Sequence, residues 1–246
     1  MFLKHLSLFV CFWLFSLFIN SISAQTGVNI HIIPAIHGLH QKNVNYNYDS
    51  LYSEIKKINP DFIIVEIRQE DMGQDTSYLK KNYPGEMWIM RYWFSNKKHF
   101  GMDWLGKDLQ DKPIPDNYWA EKSDLKKWEK ELDKDSSLTT KLQACEEIQF
   151  MRIPTLTEGS FLDITNGEDE KLTLQYYQCL DRVLTNTKHS RITEFYQLRN
   201  YTMAERIAEV VKKNGEGNYV VLTGVDHIPF IKIYLFKMGL GSAIKT

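Results

Sequence analysis

The run DFIIVEI at residues 61–67 constrains this chain more than any other stretch. Phe62, Ile63, Ile64 and Val65 are apolar without alternation, so neither face of the extended segment suits water, the pattern of a strand covered on both sides of a parallel sheet. Just before it, Tyr48–Ile58 places Leu51, Ile55 and Ile58 at helical spacing and stops at Asn59-Pro60. Earlier still, Val28–Ala35 reads as a strand, with Pro34 tolerable only near a strand end or at an edge. Strand, helix and strand in about forty residues make a βαβ unit.

The rest of the chain repeats this grammar around a polar, helical middle. Residues 84–94 (PGEMWIMRYWF) suggest a helix and residues 99–104 a short strand. Lys, Glu, Asp and Trp at helical spacing over 117–142 read as a solvated helix pair. Residues 155–169 have turn composition and suggest a loop over a site. A helical pattern over 173–213, broken near 185–189, points Leu198, Met203, Ile207 and Val210 toward a core. Residues 219–222 (YVVL) supply another buried strand. Residues 223–227 turn into a last helix with Pro229 in its first turn, and LGSAIKT can add an edge strand. The expected class is α/β, a central mostly parallel sheet of βαβ units with a helical insertion at about 115–190.

The first 24 residues carry Lys4, an apolar run over 6–19 and small residues at 21, 23 and 24, the pattern of a secretory signal peptide cleaved after Ala24. The remainder, 25–246, is expected to be one α/β domain in a secreted or periplasmic compartment, with no stable membrane span once the leader is removed. Thirty basic against 31 acidic side chains give no field that favours nucleic acid. An oxidising compartment permits a bridge between Cys145 and Cys179, whose spacing matches no metal motif.

Ligands of open parallel sheets bind beyond the carboxyl ends of the strands. Three such ends carry polar groups that packing does not require: His37 after the first strand, Glu66 in the second, and His227 after Leu222-Thr-Gly-Val-Asp. An ionised Glu66 following FIIV must be paired, hydrated or metal-bound, with Arg68 or Arg91 as candidate partners. Imidazoles plus one carboxylate with positions left for water are the ligand set of a divalent metal. Arg91 is a candidate for binding a substrate carboxylate or an oxyanion. Asp103 is a strand-end carboxylate of the same kind, His40 completes a weak His-x-x-His, and Arg199 and Asn200 are read as stabilising the turn region near the last strand. Asn200-Tyr-Thr202 is a glycosylation sequon.

In this order, IIPAIHGLH, FIIVEIR, RNYTMAERIAEVVKK, YVVLTGVDH and KMGL resemble the TraB/GumN family, which includes TIKI-type metalloproteases and is related to erythromycin esterases and ChaN-like proteins. Gly224-Val-Asp-His227 keeps the family's Gly-x-x-His, whereas Pro34 stands where the amino-terminal copy has glycine. The resemblance implies that His37, Glu66 and His227 are metal-binding or catalytic, that Arg91 polarises substrate, and that Asp103 contributes. The expected function is a metal-dependent hydrolase of peptide, amide or ester bonds in a peptide or small-molecule substrate, with water activated by a divalent ion. The competing readings are a metal-free His/Glu esterase, a haem or tetrapyrrole binder through His37 or His40, and a silent binding protein.

Overall fold

The computed structural model describes residues 27–245, so the expected leader and its cleavage site lie outside the described residues. The fold is α/β, with a five-stranded sheet whose neighbouring strands all run parallel, in the order β3-β2-β4-β1-β5. The strands are β1 (Val28–Ala35), β2 (Phe62–Arg68), β3 (Lys98–Asp103), β4 (Gly217–Gly224) and β5 (Ile244–Lys245). Helices α1 (Tyr48–Ile58), α2 (Thr76–Asn82) and α3 (Gly85–Trp93) connect the first three strands. Between β3 and β4 lie α4 (Asp124–Leu132), α5 (Ser136–Glu158), α6 (Phe161–Thr165), α7 (Glu168–Leu184) and α8 (Arg191–Asn214), and α9 (Ile228–Lys237) follows β4.

The local chemistry explains the element ends. At α1, the Asn47 side chain accepts from the Ser50 amide at 3.0 Å, and Asn59 closes the helix in the left-handed region at φ 48°. Alternate residues of β2 enter opposite layers. Ile63, Val65 and Ile67 pack with Leu51 and Ile55 of α1 and Met87 and Met90 of α3. Phe62 and Ile64 pack with Met203, Ile207 and Val211 of α8 and Ile231 and Leu235 of α9. Each such side chain, taken fully out of water, contributes about 1.5–3 kcal/mol. Pro34 lies past the last β1–β5 pair, at His31 and Lys245, where β1 has an open side.

Two expectations need correction. Residues 155–169 are not a loop: α5 continues to Glu158 through Pro154, α6 starts at a capping box between Ser160 and Asp163, and α7 begins at Glu168. The Ser, Thr, Asn and Gly in this stretch serve as caps between short helices, and caps and turns draw on the same residues. On α8 the expected row holds at Met203 and Ile207, which are fully buried, but its two ends shift by one residue. Leu198 is 46% exposed, and the buried row runs Arg199, Met203, Ile207, Val211.

A third apolar cluster, separate from the two sheet layers, joins α4, α5, α7 and α8 through Leu125, Leu142, Leu180, Leu184 and Ile192. Cys145 and Cys179 form a disulfide that ties α5 to α7 across 34 residues. A closed loop of that length restricts the unfolded chain by about 3–4 kcal/mol. The double variant Cys145→Ala/Cys179→Ala is therefore expected to lose about 2–4 kcal/mol in urea denaturation. A difference within measurement error would mean that the helical region holds itself together without the bridge.

Candidate active site

The carboxyl ends of β1, β2, β3 and β4 open into a cleft of about 410 Å³ lined by His37, Glu66, Asp103, Arg199 and His227, with Tyr83, Trp119, Tyr177 and Tyr196 as aromatic walls. Each polar group arrives there for a local reason. Phe62 and Ile64 face α8, so the next residue of that parity, Glu66, meets Arg199, the top residue of the buried α8 row. A β-bulge between Val65 and Arg68 re-aims the end of β2, and Gly101 on β3 is required beside it, because a Cβ there would lie 2.4 Å from the Ile67 carbonyl oxygen.

Glu66 is 7% exposed and both oxygens of its carboxylate are engaged. Oε2 accepts from the Thr223 hydroxyl and from the Gly224 amide, both at 2.8 Å. Oε1 accepts from Arg199 Nη2 at 2.9 Å and stands 3.4 Å from His227 Nε2. Burial pushes this carboxyl up, but the charges of His227, Arg199 and His37 outweigh it and hold Glu66 well below the usual carboxylate range. Arg199 also donates through Nε to Asp103 Oδ1 at 2.8 Å. Burial, with the Glu66 charge adding to it, raises the Asp103 carboxyl against the pull of Arg199. One guanidinium thus serves two buried carboxylates.

The two imidazoles are oriented from behind. His227 donates from Nδ1 to Asn200 Oδ1 at 2.6 Å, which turns Nε2 toward Glu66. His37 donates from Nδ1 to Glu86 Oε1 at 2.8 Å, and Glu86, in the first turn of α3, is completely buried. The Tyr48 hydroxyl donates to the other Glu86 oxygen at 3.3 Å. His37 has φ 52°, a left-handed conformation that costs a non-glycine residue about 1–3 kcal/mol and that clusters at functional sites. Burial alone would lower the His37 pKa, but the Glu86 hydrogen bond and the charges of Glu66, Glu86 and Asp226 raise it above the ordinary histidine value. The ring is 46% exposed, so solvent damps that shift.

Gly224 sets the spacing. A Cβ at this position would lie 2.9 Å from His37 Nε2 and 3.5 Å from Glu66 Oε2. Its φ of −54° is open to any residue, so the requirement is space rather than conformation. For the hydrolytic role proposed below, Gly224→Ala is expected to lower turnover about a hundredfold, the order of effect that a displacement near 1 Å produces, with stability within about 1 kcal/mol of the parent. Parallel kinetics and thermal melts check this, and unchanged turnover would detach His37 Nε2 from the chemistry.

His37, Glu66, Asp103 and His227 therefore meet in one cleft, and Arg91 does not join them. Its guanidinium donates to the Gln74 carbonyl at 2.9 and 3.1 Å, outside the lining of the cleft. Arg68 is committed to Asp71 at 2.7 Å, so neither arginine considered for Glu66 pairs with it. The arginine of the site is Arg199, which bonds Glu66 and Asp103 rather than the turn region, whereas Asn200 does hold the turn after β4, through His227. Asn200 is 2% exposed, which leaves the sequon at that position inaccessible in the folded chain. Asp226 does not cap α9 but pairs with Arg152 at 2.6 Å. His40 spends both ring nitrogens internally, on the Ile36 amide at 3.1 Å and the Tyr46 carbonyl at 2.9 Å, and so has none for a haem or metal. His31 lies outside the cleft lining.

Three hydrogen bonds occupy three of the four acceptor positions of Glu66, and the Arg199 guanidinium already supplies a compensating cation, so the carboxylate keeps one open position, on Oε1 toward His227, for an ion shared by His37, Glu66 and His227. Among the described residues no group of three His, Cys, Asp or Glu side chains is arranged to hold a metal. Comparison with family models, with curated proteins and with solved structures finds no match to this chain.

Proposed function

We propose that this chain is a hydrolase of ester or amide bonds in a small or peptide-like substrate, working through its own imidazoles, and that it acts in an oxidising, extracytoplasmic compartment. The pairing of His37 with the buried Glu86, which leaves Nε2 facing the cleft, is the observation that carries this reading. It is the arrangement of a general base held in one tautomer by a carboxylate. The Cys145–Cys179 bridge supports the compartment.

In this reading a water between His37 and the substrate gives its proton to His37 Nε2 as its oxygen attacks the carbonyl carbon. Glu86 stabilises the imidazolium that forms. When His227 is protonated, its Nε2–H lies against Glu66 and gives a proton to the departing alcohol or amine as the carbon–heteroatom bond breaks. Proton exchange with solvent then resets both rings. Glu66 accepts three hydrogen bonds and stands beside His227, so its negative charge favours the cation that forms on His37 during attack, without itself reacting.

The test is hydrolysis of p-nitrophenyl acetate and hexanoate by purified protein before and after dialysis against EDTA. Cleavage that depends on His37 and survives chelation is the expected outcome. Loss on chelation with recovery on adding a divalent ion would restore the metal-dependent alternative, and no cleavage of any ester by the intact protein would count against a hydrolase.

A further inference from the structure

Tyr177, Tyr196 and Asp226 line the catalytic cleft and also a second cavity of about 420 Å³, walled by α4, α5, α7 and α8. The two spaces thus adjoin, with Tyr177, Tyr196 and Asp226 as their common boundary. The size of the second falls in the range of small-molecule sites. Its floor is apolar, built from Leu142, Leu180, Leu184 and Ile192. Tyr177 meets Tyr176 and Tyr196 edge-on, with ring centroids 5.2 and 5.3 Å apart, so an aromatic wall stands beside that floor. Burial raises all three phenols above their ordinary value, which keeps them neutral.

The charge around this cavity has one sign. Glu129, Asp133, Glu146 and Asp226 line it, and no lysine or arginine does. Lys126 answers Glu129 and Arg152 answers Asp226, whereas Asp133 and Glu146 make no ion pair among the described residues. Aliphatic floor, neutral aromatic wall and uncompensated carboxylates together favour one chemistry, an alkyl or aryl group that ends in a cation. They reject an anionic arm by like-charge repulsion.

We propose that the second chamber is a substrate subsite for an apolar arm ending in an ammonium group, so that the bond cleaved at His37 belongs to a cationic, chain-bearing ester or amide. The proposal rests on the hydrolytic reading for its role, but the subsite binds whether or not the bond is cleaved. The helices inserted between β3 and β4 then have a task in recognition: they lengthen the site beyond the space that the sheet rim supplies.

Calorimetric titration of the full chain with hexyltrimethylammonium, 1-hexanol and hexanoate reads the chamber without turnover. The cation is expected to bind at least tenfold more tightly than the alcohol, and the carboxylate most weakly, as the charge pattern requires. In the double variant Asp133→Asn/Glu146→Gln, both changes fall on exposed positions. Affinity for the cation is expected to fall about tenfold there while that for hexanol is unchanged. Equal binding of cation and alcohol, an unchanged cation affinity in the double variant, or no binding of any of the three overturns the proposal. Turnover is a separate readout. If no p-nitrophenyl ester is cleaved, the hydrolytic reading fails while the titration still decides the subsite. If hexanoate and 6-trimethylammoniohexanoate esters are cleaved equally well, the reading survives and the subsite does not.

Discussion

On the proposed hydrolytic reading, Glu86→Gln is expected to lower kcat for ester cleavage by about 10²- to 10⁴-fold, the range general-base catalysis supplies, and to leave KM nearly unchanged. The glutamine has the shape of the glutamate and its carbonyl can still accept from His37 Nδ1, so the ring keeps its tautomer. What disappears is the negative charge behind a ring that must become an imidazolium as water attacks. Glu86 is completely buried and does not line the cleft, so the substrate never meets it and KM has little cause to move. The pH profile separates this role from simple damage. His37 works as a base only when neutral, so activity falls as pH drops through its pKa. That pKa is raised in the parent, against burial, by Glu86 first and then by Glu66 and Asp226. Without the Glu86 charge it falls, and the acid limb of kcat/KM moves to lower pH even as the plateau drops. His37→Ala should cost at least as much, and adding Glu86→Gln to it should cost nothing further, because the two act as a unit. A Glu86→Gln enzyme with the parent's rate and the parent's acid limb would leave His37 without a catalytic partner.

Glu86 was hidden in the sequence for a physical reason. An acidic residue in the first turn of a helix is what the helix dipole favours on any exposed helix, so PGEMWIM gave no sign that this carboxylate is buried against His37 and Tyr48. The strands were legible because their chemistry is local: FIIV and YVVL have no face to offer water, and β2 and β4 lie next to each other in the sheet interior. His37, Glu66 and His227 were legible because each is a polar residue that its element does not need. Arg199 and Asn200 obey the same rule on a helix. They continue the buried row of Met203, Ile207 and Val211 beyond the sheet edge, where apolar partners run out and the cleft begins. Leu198 and Val210 mark the ends of the stripe one residue off, which places Arg199 and Asn200 beside the turn region rather than at the head of the buried row. Arg91 had the opposite history: an aromatic helix near a cleft suggested a function, but the register of α3 sends its side chain to the Gln74 carbonyl. A single sequence fixes helix phase only as well as its apolar residues mark it, and α8 is amphipathic with a polar top.

Arg199→Leu carries the largest expected loss of stability, about 3–5 kcal/mol at pH 7, the cost of leaving buried carboxylates without their cation. Glu66 and Asp103 have side chains 9% and 2% exposed, and one guanidinium bonds both. Leucine fills part of the space and extends the apolar row of α8, so the loss is electrostatic rather than a cavity effect. The pH dependence makes that distinction. In the parent, Glu66 is held below the ordinary range, so its contribution is present above the unfolded-state value near 4.3 and is lost only as pH falls through the depressed folded value. In the variant, burial acts on both carboxyls with less opposition, since only the imidazoles of His227 and His37 remain to hold Glu66 down. Both folded pKa values then rise relative to the parent, most of all that of Asp103, which is already raised, so the folded variant binds more protons than the folded parent and loses stability relative to it as pH rises. Urea denaturation at pH 4.5 and pH 7 should therefore show the deficit shrinking toward acid, with Arg199→Lys, which keeps the cation, intermediate at both. Arg91→Leu, removing a guanidinium bonded only to the Gln74 carbonyl, should change stability by less than about 0.5 kcal/mol at either pH. A deficit for Arg199→Leu that is the same at both pH values would assign the loss to packing rather than to the buried carboxylates.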